Sequence, residues 1–160
     1  MRMLWIVAAA AFGIDQWSKH HVFYVLDLVT LEHIPVVPPL LELRKGMNTG
    51  VNFGLFAANS DAQRWFLIGL TLALCAGLLV WARRSFDRRI EFLSAGLIIG
   101  GALGNALDRL LYPGVRDFLN MSCCGIHNPY VFNVADVFIF AGAIGLVLFS
   151  GDRSKSKLAP

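Results

Sequence analysis

Long apolar runs alternate with short polar segments along this chain, without the regular interruptions of a soluble helix or strand. Trp65 to Ala82, Phe92 to Leu107 and Val137 to Gly151 contain no charged residue. A membrane-spanning helix needs roughly 20 mostly apolar residues. The first run approaches that length alone, and the other two reach it only if Asp108 and Asp136 lie in the membrane or at its edge.

A fourth apolar segment begins the chain. Met3 to Ile14 is apolar, a polar cluster follows at Asp15 to Lys19, and Val22 to Leu26 is apolar again. A signal peptide also starts with a basic residue such as Arg2 and an apolar stretch. No small-residue cleavage site separates the apolar stretch from the polar cluster, so we expect a retained helix.

These runs predict an all-α membrane protein with four transmembrane helices in one integral membrane domain over residues 1–160. We expect helices at about 3–26, 63–82, 90–111 and 131–150, and extracytoplasmic segments at about 27–62 and 112–130. Within the first extracytoplasmic segment, Pro35, Pro38 and Pro39 disfavour a helix, and Leu41 to Arg44 alternates at strand period. We therefore predict a small β-structure lying on the outer membrane surface.

The basic residues predict the orientation. The net charge is +3 and only 16% of residues are charged. Short loops rich in Lys and Arg remain cytoplasmic, and four spans place all three basic clusters on one side. Both termini are then cytoplasmic. This distribution argues against nucleic acid as a partner and for membrane lipid. The clusters are Arg2; Arg83, Arg84, Arg88 and Arg89; and Arg153, Lys155 and Lys157.

The same topology brings several costly polar groups to one depth, near the outer leaflet. Charges retained in the membrane are functional candidates by default. Two carboxyls in contact share a proton, so that one activates water while the other donates to a substrate carbonyl. This chemistry favours a peptidase without a covalent intermediate, and Asp108, Asp117 and Asp136 all remain in contention for the pair.

Other chemistry has less support. The four histidines lie outside the converging set, so no Ser–His or Cys–His arrangement competes, and we expect no metal or cofactor. Cys123 and Cys124 form a disulfide or remain thiols, and with His127 they do not complete a zinc ligand set. A proton-coupled transporter also uses intramembrane carboxylates, but it would need more helices and an inverted repeat. A membrane scaffold would leave the carboxylate cluster unexplained.

Five motifs, in order along the chain, resemble those of the bacterial lipoprotein signal peptidase (signal peptidase II) family. Together they run from residue 15 to residue 136. They are Asp15-Gln16-Trp17-Ser18-Lys19 for D-Q-x-[ST]-K; Asn48-Thr49-Gly50 leading into Phe53-Gly54 for N-x-G-x-x-F; Gly100 to Arg109 for G-G-A-x-G-N-x-x-D-R; Val115-Arg116-Asp117-Phe118 for V-x-D-F; and Phe132-Asn133-Val134-Ala135-Asp136 for F-N-x-A-D. One departure is Asn52, which stands where the family usually has a small residue.

The resemblance implies an aspartic endopeptidase of the bacterial inner membrane, acting as a monomer near the outer leaflet. Its substrates would be diacylglyceryl-modified prolipoproteins, cleaved on the amino side of the lipidated cysteine. By the same match the catalytic pair is Asp117 and Asp136. The residues expected to bind substrate are Asn48, Asn105, Arg109 and Asn133, and those expected to support the site are Asp15, Lys19 and Asp108. From the residues alone, interhelical packing is as good an explanation for the asparagines Asn105 and Asn133.

Overall fold

The computed structural model describes residues 1–50, 61–123, 125 and 128–150. Several residues singled out in the sequence lie outside this described part, namely Asn52, Phe53, Gly54, Cys124, His127 and the basic tail after residue 150. Cys123 is disulfide-bonded, and Cys75 is a buried free thiol.

Helices account for most of the described chain. Helix α1 (Arg2–His20) continues into a π-helical segment (His21–Val25) and is followed by a single turn, α2 (Leu28–Leu31). The longer helices are α3 (Asp61–Ser85), α4 (Arg89–Leu111) and α5 (Val134–Ser150). The last begins three residues later than expected, because residue 132 pairs with a strand instead.

Two of the described helices, α3 and α4, are long and apolar enough to cross a membrane by length and composition. Helix α5 is apolar but shorter, with 17 residues. Helix α3 is mostly exposed and α4 mostly buried, so α4 is the central helix against which the others pack.

Glycines allow α1 and α4 to approach closely. Gly96, Gly100 and Gly104 recur every four residues and so share one face of α4. A Cβ added at Gly100 would lie 2.8 Å from the Cβ of Ala11, and one at Gly104 would lie 3.3 Å from Cγ of Asp15. The small residues thus place the polar end of α1 directly against α4, as small residues do in membrane helix pairs.

A three-stranded antiparallel sheet, ordered β1-β2-β3, packs at one end of the helices. Its strands are β1 (His33–Val37), β2 (Leu41–Asn48) and β3 (Val115–Asn120). Strand β2 contains the alternating segment that the sequence predicted. Strand β3 comes from the second expected extracytoplasmic segment, for which no strand was predicted, and it pairs Asp117 with Gly46.

Candidate active site

Asn133 joins the two carboxyls that the sequence motifs single out. Its side-chain nitrogen donates to Asp117 Oδ1 at 2.6 Å. Its side-chain oxygen accepts from the backbone N–H of Asp136 at 3.0 Å, and its own backbone N–H donates to Asp136 Oδ2 at 3.1 Å. The last two bonds form a reciprocal cap at the start of α5, equivalent to a capping box. The spacing N-x-x-D thus fixes Asp136 in the first turn of α5, beside Asp117 on β3.

Asn105 on α4 completes this arrangement from the opposite side. Its side-chain nitrogen donates to Asp136 Oδ1 at 2.9 Å, and its oxygen accepts from Asn133 Nδ2 at 3.1 Å. The same oxygen accepts from Lys19 Nζ at 3.0 Å. Asn105 and Asn133 together form the hydrogen-bonded link between the helices and the strand that carry the carboxyls.

Burial raises the pKa of Asp117 to about 6, and the negative charge of Asp136 adds to the increase. Hydrogen bonds from Asn133 and Asn48 act in the opposite direction. The carboxyl of Asp117 is 2% exposed. Because desolvation and a nearby like charge both favour the neutral form, Asp117 is suited to hold a proton that two carboxyls share.

Asn48 reaches the site from the end of β2. It hydrogen-bonds Asp117, while its side-chain oxygen accepts from the backbone N–H of Gly50 at 3.1 Å. The strand pairing places Asn48 opposite Val115, two residues before Asp117. Of the four residues expected to bind substrate, Asn48, Asn105 and Asn133 thus contact the carboxyls directly.

Arg109, the fourth, lines a cavity of about 250 Å³ between α3, α4 and α5. Its charge interacts with those of Asp117 and Asp136. One guanidinium nitrogen donates to the Asn105 carbonyl at 3.4 Å, and its buried Nε has no hydrogen-bond partner within the described part of the chain. The cavity is mostly apolar, with Thr71, Leu74, Cys75, Ile98, Ala102, Asn105 and Ile139 as its other lining residues.

A buried ionic network lies behind the site. Three of its members, Asp15, Lys19 and Asp108, are fully buried. Lys19 Nζ lies 2.9 Å from Asp15 and 3.1 Å from Asp108. Asp15 also accepts from the backbone N–H of Ala135 at 3.0 Å, which ties α1 to the start of α5. The residues expected to support the site therefore contact one another and, through Lys19, Asn105.

Arg116 is the fourth charged member of this network, and sequence reasoning did not identify its role. Its Nη2 lies 2.9 Å from Asp108 Oδ1, so two cations balance two anions. Arg109 follows Asp108 directly in the sequence, but consecutive helix residues do not face each other, and Asp108 pairs with Arg116 instead. The signal that was available is Arg116 itself, a charge within the V-x-D-F motif.

In the described ranges, no group of three or more His, Cys, Asp or Glu side chains could hold a metal ion. Within these ranges, the carboxyls of Asp117 and Asp136 are hydrogen-bonded to Asn133 and Asn105.

The fold and the sequence of this chain both match known proteins. The fold resembles two solved bacterial membrane enzymes. One, determined by the in meso method at 2.3 Å, has a TM-score of 0.78 and 21% identity, and the match covers 100% of this chain and 94% of the other. The second, at 1.9 Å, has a TM-score of 0.79 and 21% identity, with 96% and 95% covered. The chain therefore shares its fold with these two structures.

The family model for signal peptidase (SPase) II matches residues 7–151. The chain is 41% identical over 145 residues to a lipoprotein signal peptidase of Methylorubrum extorquens, covering 91% of this chain and 83% of that one. It is 40% identical over 159 residues to a lipoprotein signal peptidase of Aeromonas hydrophila, covering 98% and 92%. The chain belongs to the signal peptidase II family.

Proposed function

We propose that this protein is an intramembrane aspartic endopeptidase that removes the signal peptide from diacylglyceryl-modified prolipoproteins. Cleavage is on the amino side of the lipidated cysteine. The observation that carries the proposal is the position of Asp117 and Asp136, which Asn133 joins; Asn105, which donates to Asp136, also lines a mostly apolar cavity. The names of the relatives supply the substrate class.

In the proposed reaction Asp117 and Asp136 share one proton. The ionised carboxylate accepts a proton from water, and the neutral carboxyl donates its proton to the carbonyl oxygen of the scissile bond. Water then adds to the carbonyl carbon, and the tetrahedral intermediate collapses as a proton passes to the leaving nitrogen. The raised pKa of Asp117 favours it as the neutral partner before water attacks.

The cavity lined by Asn105 and Arg109 is suited to an extended peptide in an apolar setting. Its walls are largely aliphatic, and Arg109 supplies N–H donors for peptide carbonyls. The exposed apolar surface of α3 borders this cavity, so acyl chains on the substrate cysteine can remain among lipids while the peptide reaches Asp117 and Asp136.

The location that supports this function is the outer leaflet of the bacterial inner membrane, with α1, α3, α4 and α5 as four spans and both termini in the cytoplasm. Helix α4 separates Arg89 from Asp108 by about 28 Å at 1.5 Å per residue. That separation is close to the thickness of the hydrocarbon core, roughly 30 Å. A cytoplasmic basic turn therefore places the carboxyls near the outer surface. We propose that the protein acts as a monomer, since one chain carries the whole site.

Asp117→Asn and Asp136→Asn should each lower cleavage of a diacylglyceryl-modified precursor at least about 100-fold, because acid–base catalysis by a positioned side chain contributes on that scale or more. The released signal peptide and the lipidated product would be measured by mass spectrometry with purified protein in lipid. The cleavage site should fall immediately before the modified cysteine. An unmodified precursor serves as the substrate control.

The matched control is Asp27→Asn. Asp27 is exposed, and its backbone has a left-handed conformation that asparagine tolerates. It should cleave at the wild-type rate. Near wild-type cleavage by either Asp117→Asn or Asp136→Asn would refute the catalytic pair. Wild-type protein that is folded and cleaves neither precursor would refute the proposed substrate.

A further inference from the structure

Arg116, the residue immediately before Asp117, is a buried cation that the proposed reaction does not use. It is 6% exposed. It occupies the unspecified position of the V-x-D-F motif, so the resemblance assigns it no role. Burying a charge is costly unless it is paired. The group that pairs with Arg116 therefore indicates what this residue does.

Arg116 binds both oxygens of the Asp108 carboxylate. Its backbone N–H donates to Asp108 Oδ2 at 2.9 Å, and its guanidinium donates to Asp108 Oδ1 at 2.9 Å. Asp108 lies in the last turn of α4 and Arg116 is the second residue of β3. The two bonds therefore fasten the strand that carries Asp117 to the central helix.

Aromatic rings and one amide hold the guanidinium in this orientation. Its carbon lies 4.3 Å from the centroid of the Tyr112 ring and 6.0 Å from that of Phe23. One of its nitrogens also donates to Gln16 Oε1 at 3.4 Å. Both side-chain hydrogen bonds come from the same nitrogen, Nη2. The planar guanidinium can stack on a ring while it donates, whereas a lysine ammonium cannot.

Arg116 and Asp117 point to opposite faces of β3, since successive strand residues alternate. Arg116 faces α1 and the ionic network, while Asp117 faces Asn133 and Gly46. The contact with Asp108 prevents β3 from shifting or rotating. Such a movement would displace the carboxyl of Asp117 relative to that of Asp136. A misplacement of about 1 Å can lower a rate about 100-fold.

We propose that Arg116 is a positioning residue for the peptidase reaction: by binding Asp108 through both its backbone and its guanidinium, it fixes β3 so that Asp117 faces Asp136. The inference rests on the proposed function, because it assumes that Asp117 is catalytic. It adds a device outside the catalytic pair that sets the geometry of the pair.

The test compares Arg116→Met and Arg116→Lys with wild type, using purified protein in lipid and a diacylglyceryl-modified precursor. Arg116→Met keeps the backbone bond and the length of the side chain, so it removes only the guanidinium. We expect its kcat to fall about 10- to 100-fold, with KM within about twofold. Arg116→Lys keeps a charged donor but loses the planar group that stacks on Tyr112. Its kcat should lie between those of wild type and Arg116→Met, at least about threefold below wild type.

Arg44→Met is the matched control. It removes an arginine that pairs with Glu42 at 2.8 Å on the exposed side of β2 and has no contact with Asp108, so kcat should stay unchanged. The folded fraction of each variant is measured by thermal unfolding, and rates are expressed per folded enzyme. If Arg116→Met does not remain folded, Arg116→Lys alone decides.

A kcat within about twofold of wild type for the folded Arg116 variants would overturn the inference, since the arginine would then serve stability alone. A rise in KM with unchanged kcat would also overturn it, because Arg116 would then be a substrate contact. Asp117→Asn in parallel separates the two proposals. If that variant is inactive while the Arg116 variants are normal, only the inference fails, whereas an active Asp117→Asn refutes the proposed function itself.

Discussion

The side chain of Asn133 has a single arrangement of hydrogen bonds available to it. Both of its amide hydrogens are used, one on Asp117 and one on Asn105, and its oxygen accepts from the backbone of Asp136. A fully satisfied buried amide resists rotation, because any other orientation would leave polar groups unpaired. Asn133 therefore determines the relative orientation of the two carboxyls before substrate arrives.

At the same scale, the raised pKa of Asp117 predicts a pH-dependent stability. The carboxyl titrates at about 6 in the folded protein against an ordinary 3.8. Its contribution to stability is therefore present below pH 3.8 and is lost as pH rises through about 6, a loss of about 3 kcal/mol. Asp117→Asn has no carboxyl that titrates at this position. As pH rises, the free energy of unfolding of wild type should therefore fall relative to that of this variant.

The measurement is thermal or denaturant unfolding of both proteins in the same detergent between pH 4 and pH 7.5. Asp27→Asn, an exposed change, should follow wild type throughout. A constant difference between wild type and Asp117→Asn over this range would contradict a raised pKa for Asp117.

Individual residues differ in how far the sequence could predict their place. The residues alone leave Asp108, Asp117 and Asp136 as candidates for the catalytic pair. Only the motif resemblance singles out Asp117 and Asp136. The Arg116 partner of Asp108 could not be predicted, since the two lie on different elements whose approach depends on tertiary packing.

At the scale of elements, helix packing was more predictable than the sheet. Gly100 and Gly104 bring α4 into close contact with α1, and small residues at such spacing are typical of close helix contact in membranes. Strand β2 was visible as an alternating segment. Strand β3 was not, because five of its six residues are buried, so no apolar–polar alternation marks it, and its partner β2 is distant in sequence.

The α1–α4 contact predicts that Gly100→Ala will be destabilising. The added Cβ would lie 2.8 Å from the Cβ of Ala11 and still closer to the backbone oxygen of Ala8. Overpacking of this kind costs about 1–3 kcal/mol, more than the gain of up to about 1 kcal/mol in helix propensity. The unfolding temperature and the specific activity should both fall.

Gly69→Ala on α3 is the control, because a Cβ there would have no described atom within 4 Å. It should match wild type or be slightly more stable. Equal stabilities for the two alanine variants would show that the backbones of α1 and α4 can separate without cost, contrary to the packing described.

For the whole molecule, charge is separated along the helices. The basic turn at Arg83 to Arg89 lies at one end of α3 and α4, while the neutral network of two anions and two cations lies near the other. The sequence predicted this separation from loop composition alone. It could not predict that β3 would bring Asp117 close to the start of α5, since that depends on strand pairing between two segments that are distant in sequence.

The proposed topology predicts that two cysteine substitutions, each introduced separately into the parent chain, are labelled from opposite sides of the membrane. Leu40 is exposed in the turn between β1 and β2, so Leu40→Cys should react with a membrane-impermeant maleimide in intact spheroplasts. Asp87 is exposed in the basic turn between α3 and α4, so Asp87→Cys should react only after the membrane is permeabilised. The parent chain gives the background from its own cysteines. Labelling of Asp87→Cys in intact spheroplasts would contradict the four-span orientation.

The central claim is that Asp117 and Asp136 act as one proton-sharing pair, and titration of Asp117 tests it most directly. In protein with ¹³C-labelled aspartate carboxyls, the Asp117 signal is assigned by its loss in Asp117→Asn. The account predicts a pKa for Asp117 of about 6 in wild type and a lower pKa in Asp136→Asn, because the neighbouring negative charge is gone. An Asp117 pKa near 3.8 in wild type, or one that Asp136→Asn leaves unchanged, would contradict it.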